Sequence, residues 1–413
     1  MREYSSSVSG YCCPSPGNAN RTFALGELAV RILAVSHSAI LEVNRELFAE
    51  LGRRGHRVML VAPLRWKNDF GSRPLQPEPL GDNGAGRLSV QTCQVIMYGR
   101  TAFQFYLSAA YANLLRWRPD VVFIDEEPWS LATLQWATFA RLTRSPFIVR
   151  TNENRLRTYP WPFSSIYAMV LRHAAWISPV NVYGLDVLKE HNYTGGSSLL
   201  PYAVDTNLFH PNNSQVRDPA IFRLGFVGRI APEKGLEMLL QAAATLVARN
   251  DHRRFAVHIY GTGTETYLAA LHRAEHDLAL PAGMVQWHGA VAHDQAPTAI
   301  RSLDTLVVPT IAYEGYKEQF GRVVIEALAC QVPVITSDNG ELPHLVKETS
   351  GGLVFPQGDV GALATCITTA MSQLGLLTQM ARRGYDHVRT HYTYSALADR
   401  LETVLQQITG ATP

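Results

Sequence analysis

The chain has 413 residues, more than one core comfortably holds and suited to two domains of about 100–200 residues each. Hydrophobic residues make up 46% and charged residues 17%, which excludes a disordered chain. A formal net charge of +2 excludes a general polyanion binder, so nucleic acid is not an expected partner, although Arg53-Arg54 with His56-Arg57 forms a local basic cluster.

Residues 1–29 hold Ser, Gly, Pro and Asn without an apolar run of signal-peptide length, and read as a flexible tail. No stretch reaches the ~18–20 continuous apolar residues of a membrane span. Five cysteines show no repeated spacing; Cys12-Cys13 lie in the tail, and Cys93, Cys330 and Cys366 sit in apolar runs as small buried hydrophobes. A reducing, cytoplasmic setting is the expectation, so the Asn-x-Ser/Thr sites at Asn20, Asn192 and Asn212 carry little meaning.

From Arg31 onward, short apolar strands alternate with amphipathic helices. Arg31–Ser36 reads as a buried strand, Leu41–Arg53 as a helix closed at Gly55, and His56–Val61 as the returning strand. Asp120–Ile124, Pro146–Val149 and Ala175–Ser178 supply further strands. Continuous apolar strands separated by helices imply a parallel sheet covered on both faces. The polar stretch Phe209–Ser214 reads as a linker, after which the pattern restarts. Strand Phe222–Val227 precedes helix Glu233–Arg249, and strand Ala256–Tyr260 precedes helix Glu265–Leu278. Val285–His288, Thr305–Val308 and Val332–Ile335 continue the second sheet. The expected division is 30–212 and 213–392, with a C-terminal helix within 393–413 whose greasy face (Leu397, Leu401, Val404, Leu405, Ile408) packs on one of the two. Two doubly wound sheets facing each other bind ligands in the crevice at their strand carboxyl ends.

Three segments of the second half place polar groups at such ends. Gly228 allows a tight turn, and Arg229 and Lys234 flank a helix start at Pro232, a setting suited to a diphosphate. Gly261-Thr262-Gly263 allows close approach of phosphate or ribose, but lacks the third glycine of a dinucleotide fingerprint. Glu318 and Glu326 bracket a helix start at Phe320-Gly321, whose free amides suit an anion or a sugar hydroxyl. Each segment alone also reads as an ordinary solvated turn or helix cap. In the first half, Asp125-Glu126-Glu127 follows a strand. His37 follows another and could meet donor phosphates or acceptor, and Asn152 opens a polar, then aromatic, segment running to Trp161 and Phe163. That segment suits an acceptor site, a membrane surface or simple packing against a neighbour.

In this order the pieces resemble the retaining glycosyltransferases of family 4. The chain shares Pro201–Phe209, Val227-Gly228-Arg229, Glu233-Lys234-Gly235, Gly261-Thr262-Gly263, the Glu318–Glu326 segment, Pro333-Val334-Ile335 and Gly340-Glu341-Leu342-Pro343. The resemblance implies an α/β fold of GT-B type, with two facing Rossmann-like domains and an interdomain cleft. It further implies transfer of a hexose-type sugar from a nucleotide-diphosphate donor to a saccharide, lipid-linked or small-molecule acceptor. It implies no cofactor and no essential metal. Carried over, Arg229 and Lys234 hold the diphosphate, and Glu326 holds the ribose. Glu318 holds the transferred sugar, assisted by the Phe320 and Gly321 amides. The family often carries a histidine near Asp125–Glu127, where this chain is acidic; Glu126 or Glu127 would then orient the acceptor hydroxyl or take its proton. Gln331 stands where the family often has glycine. A sugar-nucleotide 2-epimerase and a non-catalytic nucleotide-sugar-binding protein stay open as alternatives, as does peripheral contact with the inner face of a membrane.

Overall fold

The computed structural model describes residues 29–67, 87–107, 111–212, 220–249 and 254–410. Nearly all of the expected tail, with Cys12, Cys13 and Asn20, lies outside the described residues, as does the end of the expected linker. In chain order the first half contains β1 (Arg31–Ser36), α1 (Glu46–Arg53), β2 (Arg57–Pro63), β3 (Leu88–Ile96), β4 (Phe105–Leu107) and α2 (Tyr111–Trp117). It continues with β5 (Val121–Asp125), α3 (Leu131–Thr143), β6 (Phe147–Thr151), α4 (Phe163–His173), β7 (Trp176–Pro179), α5 (Val182–Glu190) and β8 (Gly196–Ser197). These strands form one eight-stranded sheet in the order β4-β3-β2-β1-β5-β6-β7-β8, parallel except for the β3–β4 pair.

The second half contains β9 (Ile221–Val227), α6 (Leu236–Ala248), β10 (Arg254–Tyr260), α7 (Glu265–Asp277), β11 (Val285–Gly289), α8 (Ala296–Arg301) and β12 (Thr305–Val308). Then follow α9 (Arg322–Ala329), β13 (Val334–Ser337), α10 (Leu342–Thr349), β14 (Gly352–Phe355), α11 (Val360–Ser372), α12 (Leu374–His391) and α13 (Tyr394–Thr409). Its six-stranded parallel sheet runs β11-β10-β9-β12-β13-β14. Strand order reverses between β1 and β5 in the first sheet and between β9 and β12 in the second. Those two switch points are where doubly wound sheets open a crevice.

Alternation along each strand decides what covers each face. Leu33 and Val35 of β1 pack with Trp136, Phe139 and Ile166 of α3 and α4. Ile32 and Ala34 face the other way, onto Phe48 and Leu51 of α1 and Leu397 and Leu401 of α13. The last helix therefore completes the core of the first sheet. Arg54 pins it there, donating to Asp399 Oδ1 at 2.6 Å, Glu402 Oε2 at 2.8 Å and the Ser395 carbonyl at 2.8 Å. Arg53 bonds Glu46 and Glu50. Two arginines of the local basic cluster are thus paired with carboxylates of the fold itself. In the second sheet Phe222, Leu224 and Phe226 pack with α6 and α11. Leu306 and Val308 pack with α9, and Val204 and Phe209 join that same cluster.

Several expected elements shift. The helix expected from Leu41 begins only at Glu46, because residues 38–44 form two 3₁₀ turns whose Ala39 and Ile40 carbonyls are held by the buried Arg45 guanidinium. The helix expected from Glu233 is broken at Gly235, whose φ of +67° ends a short 3₁₀ turn before α6 starts. A side chain at Gly235 would overlap the Pro309 carbonyl, so glycine brings this turn against the end of β12. Gln331 adopts φ +56°, the left-handed region that favours glycine. Cys93 and Cys330 are buried and Cys366 is half-buried. Among the described residues no single helix is long and apolar enough to cross a membrane.

Candidate active site

Register builds the first half of the site. Ser36 pairs with Asp125 across β1 and β5, so the next residues, His37 and Glu126, emerge side by side at the switch point. The Glu126 side chain has no exposure, and four donors reach its carboxylate: His37 N at 2.9 Å, His37 Nδ1 at 2.7 Å, Gln104 Nε2 and Tyr106 Oη. Burial opposes charge on the imidazole, but Glu126, with Asp125 and Glu127 behind it, raises His37 to about 9. The ring also stacks on Trp66, with centroids 4.6 Å apart. This alters the expectation for Glu126: a carboxylate so enclosed cannot reach an acceptor hydroxyl, and it holds His37 instead.

Asp125 accepts from Ser36 Oγ at 2.7 Å and lies 3.8 Å from Arg150. Glu127 is only partly buried. It accepts from Thr151 Oγ1 at 2.8 Å and from the Asn152 amide at 3.2 Å. Burial, reinforced by nearby Glu153, raises its carboxyl to about 7 against those donors. Of the acidic triplet it is the member with both exposure and a proton affinity near neutrality.

At the second switch point, Lys234 Nζ meets Glu318 Oε2 at 2.6 Å. Tyr316 Oη donates to Glu318 Oε1 at 3.3 Å, and the Glu318 amide donates to Asn339 Oδ1 at 2.7 Å. Burial works against the Lys234 charge, but Glu318 outweighs it and holds the ammonium above its ordinary range. Gly340, at φ +58°, lets its backbone pass against Glu318 where any side chain would overlap. Arg229 is 40% exposed and pairs with Glu233 four residues on, so in this state the two expected diphosphate cations have different carboxylate partners.

Gly261 and Gly263 pack against the Gly228–Ile230 loop. Gly228 N donates to the Tyr260 carbonyl at 3.0 Å and Ile230 N to the Thr262 carbonyl at 2.8 Å. Side chains on either glycine would strike the carbonyls of Gly228 or Ile230. These glycines let two loops lie side by side; the approach they permit is first of all backbone to backbone. Gly321 caps α9 at φ +85°, and Phe320 is buried beside it. Glu326 on α9 is half-buried, and burial raises its carboxyl to about 7 with Arg322 opposing.

The two halves touch through residues far apart in the sequence. The Tyr202 ring lies between two guanidiniums, Arg150 at 4.6 Å and Arg322 at 4.5 Å, and its hydroxyl donates to Asn152 Oδ1 at 2.7 Å. Tyr202 also meets Phe320 edge-on at 5.6 Å. Arg322 Nη2 donates to Asn44 at 2.9 Å, Asn154 Nδ2 to the Lys317 carbonyl at 3.0 Å, and Val182 N to Glu341 Oε2 at 3.2 Å. In the aromatic segment Phe163 packs on Phe103 at 5.2 Å, whereas Trp161, expected to pack, is 82% exposed.

With this geometry in view, residues 221–373 match the family described as glycosyl transferases group 1. The match falls within the second domain and takes in β9 through α11. A D-inositol 3-phosphate glycosyltransferase of Catenulispora acidiphila is 30% identical over 230 residues, 53% of this chain and 51% of that one. A GDP-mannose-dependent alpha-(1-6)-phosphatidylinositol monomannoside mannosyltransferase of Mycobacterium tuberculosis is 29% identical over 222 residues, 50% of this chain and 55% of that one. The chain spans about half the length of the curated relatives it matches. A glycosyltransferase from Rickettsia africae superposes with a TM-score of 0.71 at 16% identity, over 93% of this chain and all of its own. Anabaena HepE in complex with UDP gives 0.68 at 15%, over 92% of this chain and all of its own. These structural likenesses show that the two domains together have the GT-B fold.

Proposed function

We propose that the protein is a retaining glycosyltransferase that moves a hexose-type sugar from a nucleotide-diphosphate donor to a hydroxyl acceptor and needs no metal ion for the transfer. The observation that carries this reading is the Lys234–Glu318 pair at the second switch point. A fixed ammonium beside a carboxylate suits a substrate whose phosphates become more negative as the anomeric bond breaks while its sugar offers hydroxyls. Arg229 stands close by in sequence, and its exposed guanidinium can exchange Glu233 for a diphosphate. Glu326 on α9 is the carboxylate for ribose hydroxyls. The Phe320 and Gly321 amides at the start of α9 assist Glu318 at the sugar. Glu127 is the group to receive the acceptor proton, since a base works best when its proton affinity lies near the working pH. UDP in the HepE neighbour and GDP-mannose in the mycobacterial relative's name support a nucleotide sugar as donor.

A panel of UDP-, GDP- and ADP-sugars, screened by thermal shift and then offered with saccharide, lipid-linked and inositol-type acceptors, tests the proposal. Expected is one nucleotide series that raises the midpoint and releases its nucleotide only when acceptor is present. Anomeric proton couplings of the product read retention, and transfer in chelator reads the metal requirement. Failure of every sugar nucleotide to bind overturns the donor site. An epimerised sugar nucleotide formed without acceptor reassigns the enzyme to the isomerases.

A further inference from the structure

We propose that His37 is a phosphate-reading cation of the cleft, held in that role by Glu126 as its positioning residue. The inference rests on the transferase reading in one respect: it takes phosphate-bearing substrates to enter between the two sheets.

Glu126 decides the state of the histidine. Its side chain has no exposure, and three of its donors, the Gln104 amide, the Tyr106 hydroxyl and the His37 main-chain amide, carry no charge. Enclosing a carboxylate without a positive partner is costly, and the His37 ring, with Nδ1 at 2.7 Å, is the group in contact that can supply one. The neighbouring charged groups are already committed. Asp125 has Ser36 and Arg150, while Glu127 has Thr151 and the Asn152 amide. Neither carboxylate is bonded to the ring.

The pairing fixes what the ring can still do. Nδ1 is spent on Glu126, and one face lies on Trp66. The side chain keeps 27% exposure, and among the described residues no protein acceptor meets Nε2. In the charged ring Nε2–H can donate but cannot take a proton, so His37 is not the base of the transfer. A charge-assisted donor at the carboxyl end of β1 favours an oxygen bearing charge, and phosphate is the group of that kind in either substrate class. Two sources share this chemistry: the diphosphate of the donor and a phosphate carried by the acceptor.

Nuclear magnetic resonance titration of the histidine rings, with His37 assigned from a His37→Gln variant, reads the charge directly and needs no activity. Expected is an imidazolium that persists at pH 8 in the wild type and titrates at lower pH in Glu126→Gln. A neutral His37 at pH 7 in the wild type overturns the proposal. Calorimetry separates the two sources. UDP and GDP probe the donor site; inorganic phosphate in the presence of saturating nucleotide probes the acceptor side. His37→Gln is expected to weaken one of these by about tenfold or more, the scale of a lost charged hydrogen bond. Unchanged affinity in both arms overturns the proposal. If the wild type binds neither nucleotide, the donor reading fails on its own, and inorganic phosphate titrated without nucleotide still decides His37.

Discussion

The two switch points are built alike and charged differently. Each holds a cation–carboxylate pair joined across the sheet's reversal: His37 with Glu126 between β1 and β5, and Lys234 with Glu318 beside β9 and β12. In the second, the cation is a lysine whose charge persists across the physiological range, and Glu318 shares its oxygens between Lys234 and Tyr316. In the first, the cation is an imidazole raised to about 9, and the carboxylate is wholly enclosed. The second switch point therefore carries a permanent field, which under the proposed function suits a leaving diphosphate. The first carries protons that can move, with Glu127 near 7 beside His37. A group transfer needs both: fixed charge where charge develops, and a titratable group where a proton departs.

The largest expected effect falls on the titratable side. Under the proposed function Glu127→Gln removes the proton acceptor while its amide oxygen still accepts from Asn152 N–H, and is expected to lower kcat by ~10²–10⁴ with donor KM unchanged. Undiminished transfer would take Glu127 out of the mechanism and with it the division of labour drawn above. On the fixed side, Lys234→Ala is expected to lower kcat/KM by about 10²–10³. It also leaves Glu318 enclosed without its cation, a loss of roughly 3–5 kcal/mol in denaturant unfolding. Lys234→Ala with full activity would show that the pair only braces the loop. Between the two sides stands Tyr202. Tyr202→Leu removes both cation–π contacts and the bond to Asn152, and is expected to cost about 1–2 kcal/mol. A double-mutant cycle with Arg322→Gln checks whether the loss is shared across the domains.

The fold was far more legible in the sequence than the site. Apolar runs such as Val121–Ile124 and Thr305–Val308 are strands because both faces are covered, and hydrophobicity alone betrays them. β3 escaped because Ser89, Gln91, Thr92 and Gln94 interrupt its apolar positions, leaving mixed burial along its length. The chemistry-bearing residues stood out singly, while their pairings did not. His37 and Glu126 lie 89 positions apart and Lys234 and Glu318 84 apart, and only strand order and register bring them together. Gly261 and Gly263 show the converse: a pattern that reads as room for a ligand also lets the neighbouring loop lie close, its carbonyls where side chains would stand. Tyr202 lay within the recognisable Pro201–Phe209 motif, yet nothing in its spacing announced two arginines from distant segments.

The smallest expected effect tests whether protons also govern how the two sides meet. Glu341 is 5% exposed at the start of α10, and its Oε2 accepts from the Val182 amide at the first turn of α5, across the domain boundary. Burial raises its carboxyl to about 8; Val182 and Lys317 oppose, and Glu348 adds to the rise. Because this value lies above the ordinary 4.5, the folded protein binds more protons than the unfolded chain between those limits. Stability from this group is therefore complete below about pH 4.5 and is lost as pH rises through about 8. Glu127 and Glu326, each raised to about 7, act in the same direction, so the slope has several sources. Glu341→Gln keeps an acceptor for Val182 and removes one of them. Its Tm is expected to fall less than that of the wild type between pH 5 and 8.5, with the difference growing to roughly 1–3 °C at the alkaline end. Parallel curves would mean that Glu341 stays ionised at the boundary throughout, steadied by Lys317 and the α5 terminus, and that the contact between the domains is as indifferent to pH as Lys234 itself.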